Sequence, residues 1–160
     1  MNADPQVMEF FPARLEREAS DALAKRIETK IAERWWGLWA AELRATGEFI
    51  GFIGLQPPPA QIPCAPCVEV GWRLARPYWG KGLATEGARA ALHFGFEKLG
   101  LDAIVSFTVP GNRRSRAVMD RLGMQEDKAG AFEHPNILAG SPLRLHCLYR
   151  LSRERWMELL

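Results

Sequence analysis

Two glycines, Gly80 and Gly82, stand between a short apolar run and a long amphipathic one, a layout suited to binding phosphate. The first run is Val68-Glu69-Val70-Gly71-Trp72-Arg73-Leu74, and the second extends from Leu83 to Leu99. Strand, glycine turn and helix start aim unpaired backbone N–H groups and a partial positive charge at a ligand. Glycine turns tightly and, lacking a Cβ, allows close approach. A plain turn is the competing reading of so short a motif. No G-x-x-x-x-G-K followed by Ser or Thr occurs, so the turn is not a P-loop. Thr85 stands where a dinucleotide fingerprint needs its third glycine. Asp102, 20 residues past Gly82, opens the next strand instead of closing it.

Glu69 is the second group with chemical potential. It alternates with Val68 and Val70 on a strand that reads as buried, where an unpaired carboxylate is costly. Burial raises such a pKa toward a value useful for a base. A structural ion pair or hydrogen bond explains the residue equally well, and water as base is a third option. Gly71, in mid-strand, marks a bulge or a close backbone approach. Cys64 and Cys67 form a C-x-x-C inside a proline-rich loop, and Cys147 stands alone. A zinc site needs four ligands, and His93, His134 and His146 have no finger-like spacing. A redox C-x-x-C should open a helix. No metal is expected, and the thiols read as loop cysteines in a reducing compartment.

The elements that must position these groups follow from periodicity. Leu15, Ala19, Leu23, Ile27 and Ile31 predict an amphipathic helix from about Glu16 to Arg34. Gly37–Leu43 and Glu48–Gln56 read as a hairpin turned at Ala45-Thr46-Gly47. Val68–Ala75 is a strand, and Ala84, Ala88, Leu92, Gly95, Phe96 and Leu99 mark one face of a helix stopped by Gly100. Ala103–Val109 is a strand. Arg113–Leu122 is a short helix with Asn112 as N-cap candidate and Gly123 as stop. Arg144–Leu151 alternates as a strand, and Ser152 can cap a last helix. The sequence predicts an α/β (α+β) fold, with a mixed sheet and a parallel pair around the central helix.

The chain of 160 residues predicts a single domain over 1–160. Its 48% hydrophobic and 25% charged residues are ordinary for a globular protein. Twenty-one basic against 19 acidic residues leave a net charge of +2, which gives no case for nucleic acid as partner. No apolar run approaches a membrane span. The start, Met1-Asn2-Ala3-Asp4-Pro5, has no signal-peptide pattern, so a cytoplasmic location is expected.

Two blocks carry a family resemblance. Val68–Leu74 followed by Tyr78-Trp79-Gly80-Lys81-Gly82-Leu83-Ala84-Thr85-Glu86 resembles the acetyl-CoA motif of the GNAT N-acetyltransferase superfamily. Asn112-Arg113-Arg114-Ser115, ending in Leu122-Gly123-Met124, resembles its second block. Together they are similar to the RimJ/RimL-like subgroup. Pro77 departs from the usual Q/R-x-x-G-x-G/A, so no side chain there adds a polar contact. The resemblance implies a mostly antiparallel sheet flanked by helices. It also implies that a strand and a helix start precede the segment resembling Ala3–Met8, so the first family strand is expected to be missing. The strand Gly37–Leu43, with apolar Leu38, Trp39, Ala40, Ala41 and Leu43, would then offer an open edge, which favours a homodimer.

The same resemblance implies acetyl-CoA as co-substrate and a primary amine as acceptor, on a small molecule or a peptide, by direct attack in a ternary complex. A non-catalytic acyl-CoA-binding or regulatory module is the alternative. The backbone of Trp79, Gly80, Lys81, Gly82, Leu83 and Ala84 would hold the pyrophosphate. Trp72, Arg73 and Leu74 would line the thioester, one of their N–H groups serving as oxyanion donor. Asn112 would touch the cofactor arm, and Ser115 would lie near the sulfur as proton donor; N-cap and first-turn polar residue are the structural alternatives. Glu69 is the candidate base. Lys81, Arg113, Arg114 and Arg116 cluster near both blocks. Trp35, Trp36, Trp39, Phe10 and Phe11 form one aromatic group that could border the acceptor.

Overall fold

The computed structural model describes residues 1–160. In chain order it contains α1 (Arg17–Arg34), β1 (Leu38–Glu42), β2 (Phe49–Gln56), β3 (Glu69–Leu74), α2 (Leu83–Glu97) and β4 (Ala103–Thr108). Then come α3 (Arg113–Arg121), β5 (Gln125–Glu133), β6 (Leu145–Ser152) and α4 (Arg153–Glu158). Six strands form one sheet in the order β1-β2-β3-β4-β6-β5. Every neighbouring pair is antiparallel except β3 and β4. This is the mixed, mostly antiparallel α/β sheet that the sequence predicts, with β1 at one edge.

Helix α2 closes one face of the sheet. Its spacing brings Ala88, Ala91, Leu92, Gly95 and Phe96 to a single buried side. Leu55, Val70, Ile104 and Leu151 meet it from four strands, and none exposes measurable surface. Each large side chain buried there contributes about 1.5–3 kcal/mol. A Cβ at Gly95 would stand 2.6 Å from Ile104 Cδ1 and 2.9 Å from Leu55 Cδ1, so the small residue sets how near the helix lies. The predicted caps are in place. Asn112 Oδ1 accepts from the Ser115 N–H at 3.2 Å, and Ser152 Oγ from the Arg155 N–H at 3.2 Å.

Three expectations need correction. Strand β5 has no counterpart among the strands assigned from periodicity. Its residues are nearly all polar or small, only Phe132 is buried, and its register shifts between Asp127 and Phe132, so no alternation of period two survives. The aromatic group divides in two. Trp35 and Trp39 pack edge-on against Phe94 of α2, at 5.7 and 5.1 Å, whereas Phe10 and Phe11 lie on the other side of the sheet beside the large cleft described below. Finally, Gly71 forms no bulge: the β2–β3 register runs unbroken from Gly51↔Leu74 to Gln56↔Glu69. The irregularity lies on the opposite edge. Strand β3 pairs with β4 only at Glu69↔Val105, and beyond that point the two strands part.

Candidate active site

The fork between β3 and β4 is the centre of the site. Hydrogen bonds of an antiparallel ladder alternate, so every second residue of β3 points its N–H toward β2. The Ala75 N–H reaches Ile50 O at 2.8 Å, which fixes that phase and sends the N–H groups of Arg73 and Gly71 to β2 as well. The N–H groups of Trp72 and Leu74 therefore face the gap where β4 has departed. The Leu74 carbonyl also faces this gap and accepts from Trp79 Nε1 at 2.9 Å, which ties the glycine turn to the strand.

Helix α2 starts beside the fork. Gly80 and Gly82 adopt φ of +72° and +79°, and nothing lies within 4 Å of where a Cβ would sit on either. Their conformation, not packing against the protein, requires glycine. The first intrahelical bond runs from the Glu86 N–H to Gly82 O, so the N–H groups of Leu83, Ala84 and Thr85 precede the ladder. They open on a cleft of about 1670 Å³ that spreads to both sides of the fork.

Glu69 stands where the fork begins. Gln56 Nε2 donates to its Oε2 at 3.1 Å, and no cation pairs with it. Burial pushes its carboxyl up to about 7, outweighing the opposing effect of the Gln56 bond. A Cβ at Gly71 would meet Glu69 Oε1 at 4.0 Å and nothing nearer, so the glycine keeps the space beside the carboxyl clear. The anticipated hydrogen bond and a raised pKa thus occur together in one residue. Glu69, Gly71 and Arg73 share the face away from α2, while Val70, Trp72 and Leu74 face it.

Of the other predicted residues, Asn112 and Ser115 border the cleft. The Asn112 amide is doubly engaged: Oδ1 caps α3 and Nδ2 donates to Thr108 Oγ1 at 3.0 Å. Arg113 and Arg114 border the cleft, Arg114 held by Glu9 at 2.6 Å and lying 4.5 Å over the Trp79 ring. Lys81 lies exposed outside the lining, its Nζ 5.7 Å from the Tyr78 ring centroid. Arg116 turns away to the Tyr149 hydroxyl and Glu126. The Cys64 and Cys67 thiols sit 3.1 Å apart outside the cleft, and burial pushes Cys67 up to about 12.

A profile of the acetyltransferase (GNAT) domain matches residues 1–125. The chain belongs to the GNAT acetyltransferase family. An uncharacterized Bacillus subtilis protein, YkkB, is 33% identical over 125 residues, 78% of this chain and 72% of its own length. The FsC-acetyl coenzyme A-N(2)-transacetylase of Aspergillus fumigatus is 29% identical over 170 residues, 99% of this chain and 69% of its own. A GNAT-family acetyltransferase from Bacillus anthracis superposes with a TM-score of 0.76 at 23% identity, covering 96% of this chain and 85% of its own, a likeness of fold.

GNAT acetyltransferases use acetyl-CoA, and the residues present fit it. The leading N–H groups of α2, the open space beside Gly80 and Gly82, and the cationic Arg89 and Arg113 of the lining suit its phosphates. His134 and His146, which have no metal-finger spacing in the sequence, both border the cleft of this GNAT domain. Their rings stand 5.1 Å apart, and Phe132 stacks on His146 at 5.6 Å. Burial lowers both pKa values, which leaves the imidazoles neutral near pH 7. His146 comes from β6 and His134 from the turn after β5, so only the tertiary fold joins them to Glu69.

Proposed function

We propose that this chain is a single-domain, cytoplasmic N-acetyltransferase of the RimJ/RimL-like kind, which moves an acetyl group from acetyl-CoA to a primary amine by direct attack in a ternary complex. One observation carries this reading: the fork leaves two strand N–H groups unpaired on the same strand, and bordering the same cleft, as a carboxyl whose pKa is near 7. Glu69 removes a proton from the incoming ammonium, directly or through one water. The Trp72 or Leu74 N–H supports the oxygen that gains charge as the amine adds, a contribution worth about 3 kcal/mol for one well-aimed donor. The N–H groups of Leu83, Ala84 and Thr85 hold the phosphates. As the C–S bond breaks, the Ser115 hydroxyl donates a proton to the departing sulfur and takes in its place, directly or through water, the second proton that the nitrogen sheds as the amide forms.

Proximity supplies much of the rate in such a scheme, because both partners are held at one place without a covalent intermediate. The alternative, an acyl-CoA-binding module without chemistry, is tested by free-thiol release from acetyl-CoA with and without a panel of primary amines. Amine-dependent release supports catalysis. Binding by calorimetry with no amine-dependent release would favour the module.

A further inference from the structure

Arg73 is a half-buried cation with no acid beside it. It is absent from all eight ion pairs of the molecule. Its guanidinium carbon lies 4.1 Å from the Phe11 ring centroid and 5.2 Å from that of Phe52. Nη1 donates to Asn2 Oδ1 at 3.0 Å, while Nε is buried with no partner at all. Two aromatic faces and one amide recover part of the cost of burying this charge, but no anion completes it. A planar fork of donors between aromatic rings is the arrangement that reads a carboxylate. The residue borders the large cleft on the same face of β3 as Glu69.

Spacing along the strand sets what can bridge the two. At about 3.3 Å per residue, Arg73 lies about 7 Å from Gly71 and about 13 Å from Glu69. The unpaired Trp72 N–H lies between them. An amine delivered beside that N–H would have Glu69 to one side and the guanidinium to the other. We propose that the acceptor is a small primary amine bearing a carboxylate within a few bonds, of the free amino-acid type, and that the Arg73 side chain binds that carboxylate. This rests on the acetyltransferase reading above and names its substrate class. Burial lowers the Arg73 pKa to about 10, which leaves it cationic at neutral pH.

The test compares acceptors matched in all but charge. Common L-amino acids, and separately their carboxamides, are offered with acetyl-CoA to the wild-type chain, Arg73→Lys and Arg73→Met, and thiol release is followed. The wild type should prefer acids over amides by about tenfold or more in kcat/KM, as one charge-assisted pair allows. Arg73→Met should collapse that ratio through a higher KM for the acids, and Arg73→Lys should restore part of it. Equal use of acids and amides by the wild type, or an unchanged ratio in Arg73→Met, would overturn the proposal. Preference for acidic N-terminal peptides over free amino acids would also overturn it, in favour of a protein acceptor. If acetyl-CoA binds but no amine is acetylated, the catalytic reading fails by itself. Thermal shifts with the same acids and amides then decide: a shift specific to acids and lost in Arg73→Met supports carboxylate binding, and no shift refutes it.

Discussion

The two faces of the sheet are built on different terms. Under α2 the packing is closed: five helix residues are buried, and Phe96 stacks on Trp156 with ring centroids 5.5 Å apart. On the opposite face α1 buries none of its residues. Its Leu23, Ile27 and Ile31 instead border a cleft of about 480 Å³ against Leu38, Ala40 and Phe52. The same open face carries Glu69, Arg73 and His146. Glu69, Arg73 and His146 thus lie on the side away from α2, and the fork between β3 and β4 opens the cleft to both sides of the sheet.

The largest expected effect lies on the closed face. Phe96→Ala should lower unfolding free energy by about 3–5 kcal/mol in urea titrations, because the cavity cannot collapse between α2 and four strands. Next comes Glu69. Its folded pKa of about 7 exceeds the ordinary 4.5, so between those values the native state holds more protons than the unfolded chain. Stability therefore falls as pH rises through that window. Glu69→Gln removes the penalty and should gain up to about 2 kcal/mol over wild type at pH 8, allowing for partial access to water, with no gain at pH 4. Melting curves at both pH values check it.

Gly82→Val should weaken acetyl-CoA binding about tenfold, or about 1.4 kcal/mol, by calorimetry on folded protein. A β-branched residue resists positive φ, and its side chain would occupy the space in front of α2. The smallest effect is expected at α1: Ile27→Ala should cost less than about 1 kcal/mol, since the side chain is only half-buried and borders the cleft. A loss as large as that of Phe96→Ala would erase the distinction between the faces.

What the sequence reveals follows the same division. The closed face is legible because its information is local. The spacing of Ala88, Leu92, Gly95 and Phe96 states the helix, and the turn with Gly80 and Gly82 states its start. Caps at Asn112 and Ser152 and stops at Gly100 and Gly123 are equally local signals. The open face depends on contacts between distant segments. Nothing near Arg73 in the chain says that Phe11 and Asn2 enclose it. Nothing near His146 says that Phe132, from a strand without alternation, brings it to the cleft. Glu69 could be singled out as a carboxyl among valines, but its bond to Gln56 exists only through the β2–β3 register.

The pH dependence of kcat/KM tests the central claim most directly, that Glu69 at the fork is the working base. The wild-type profile, measured with a reactive amine, should lose activity as pH falls through about 7, where the carboxyl takes up its proton. Glu69→Gln should lack that limb and lie about a hundredfold below the wild-type plateau. A variant that keeps both the limb and the wild-type rate would contradict the account and leave positioning at the fork as the only source of catalysis.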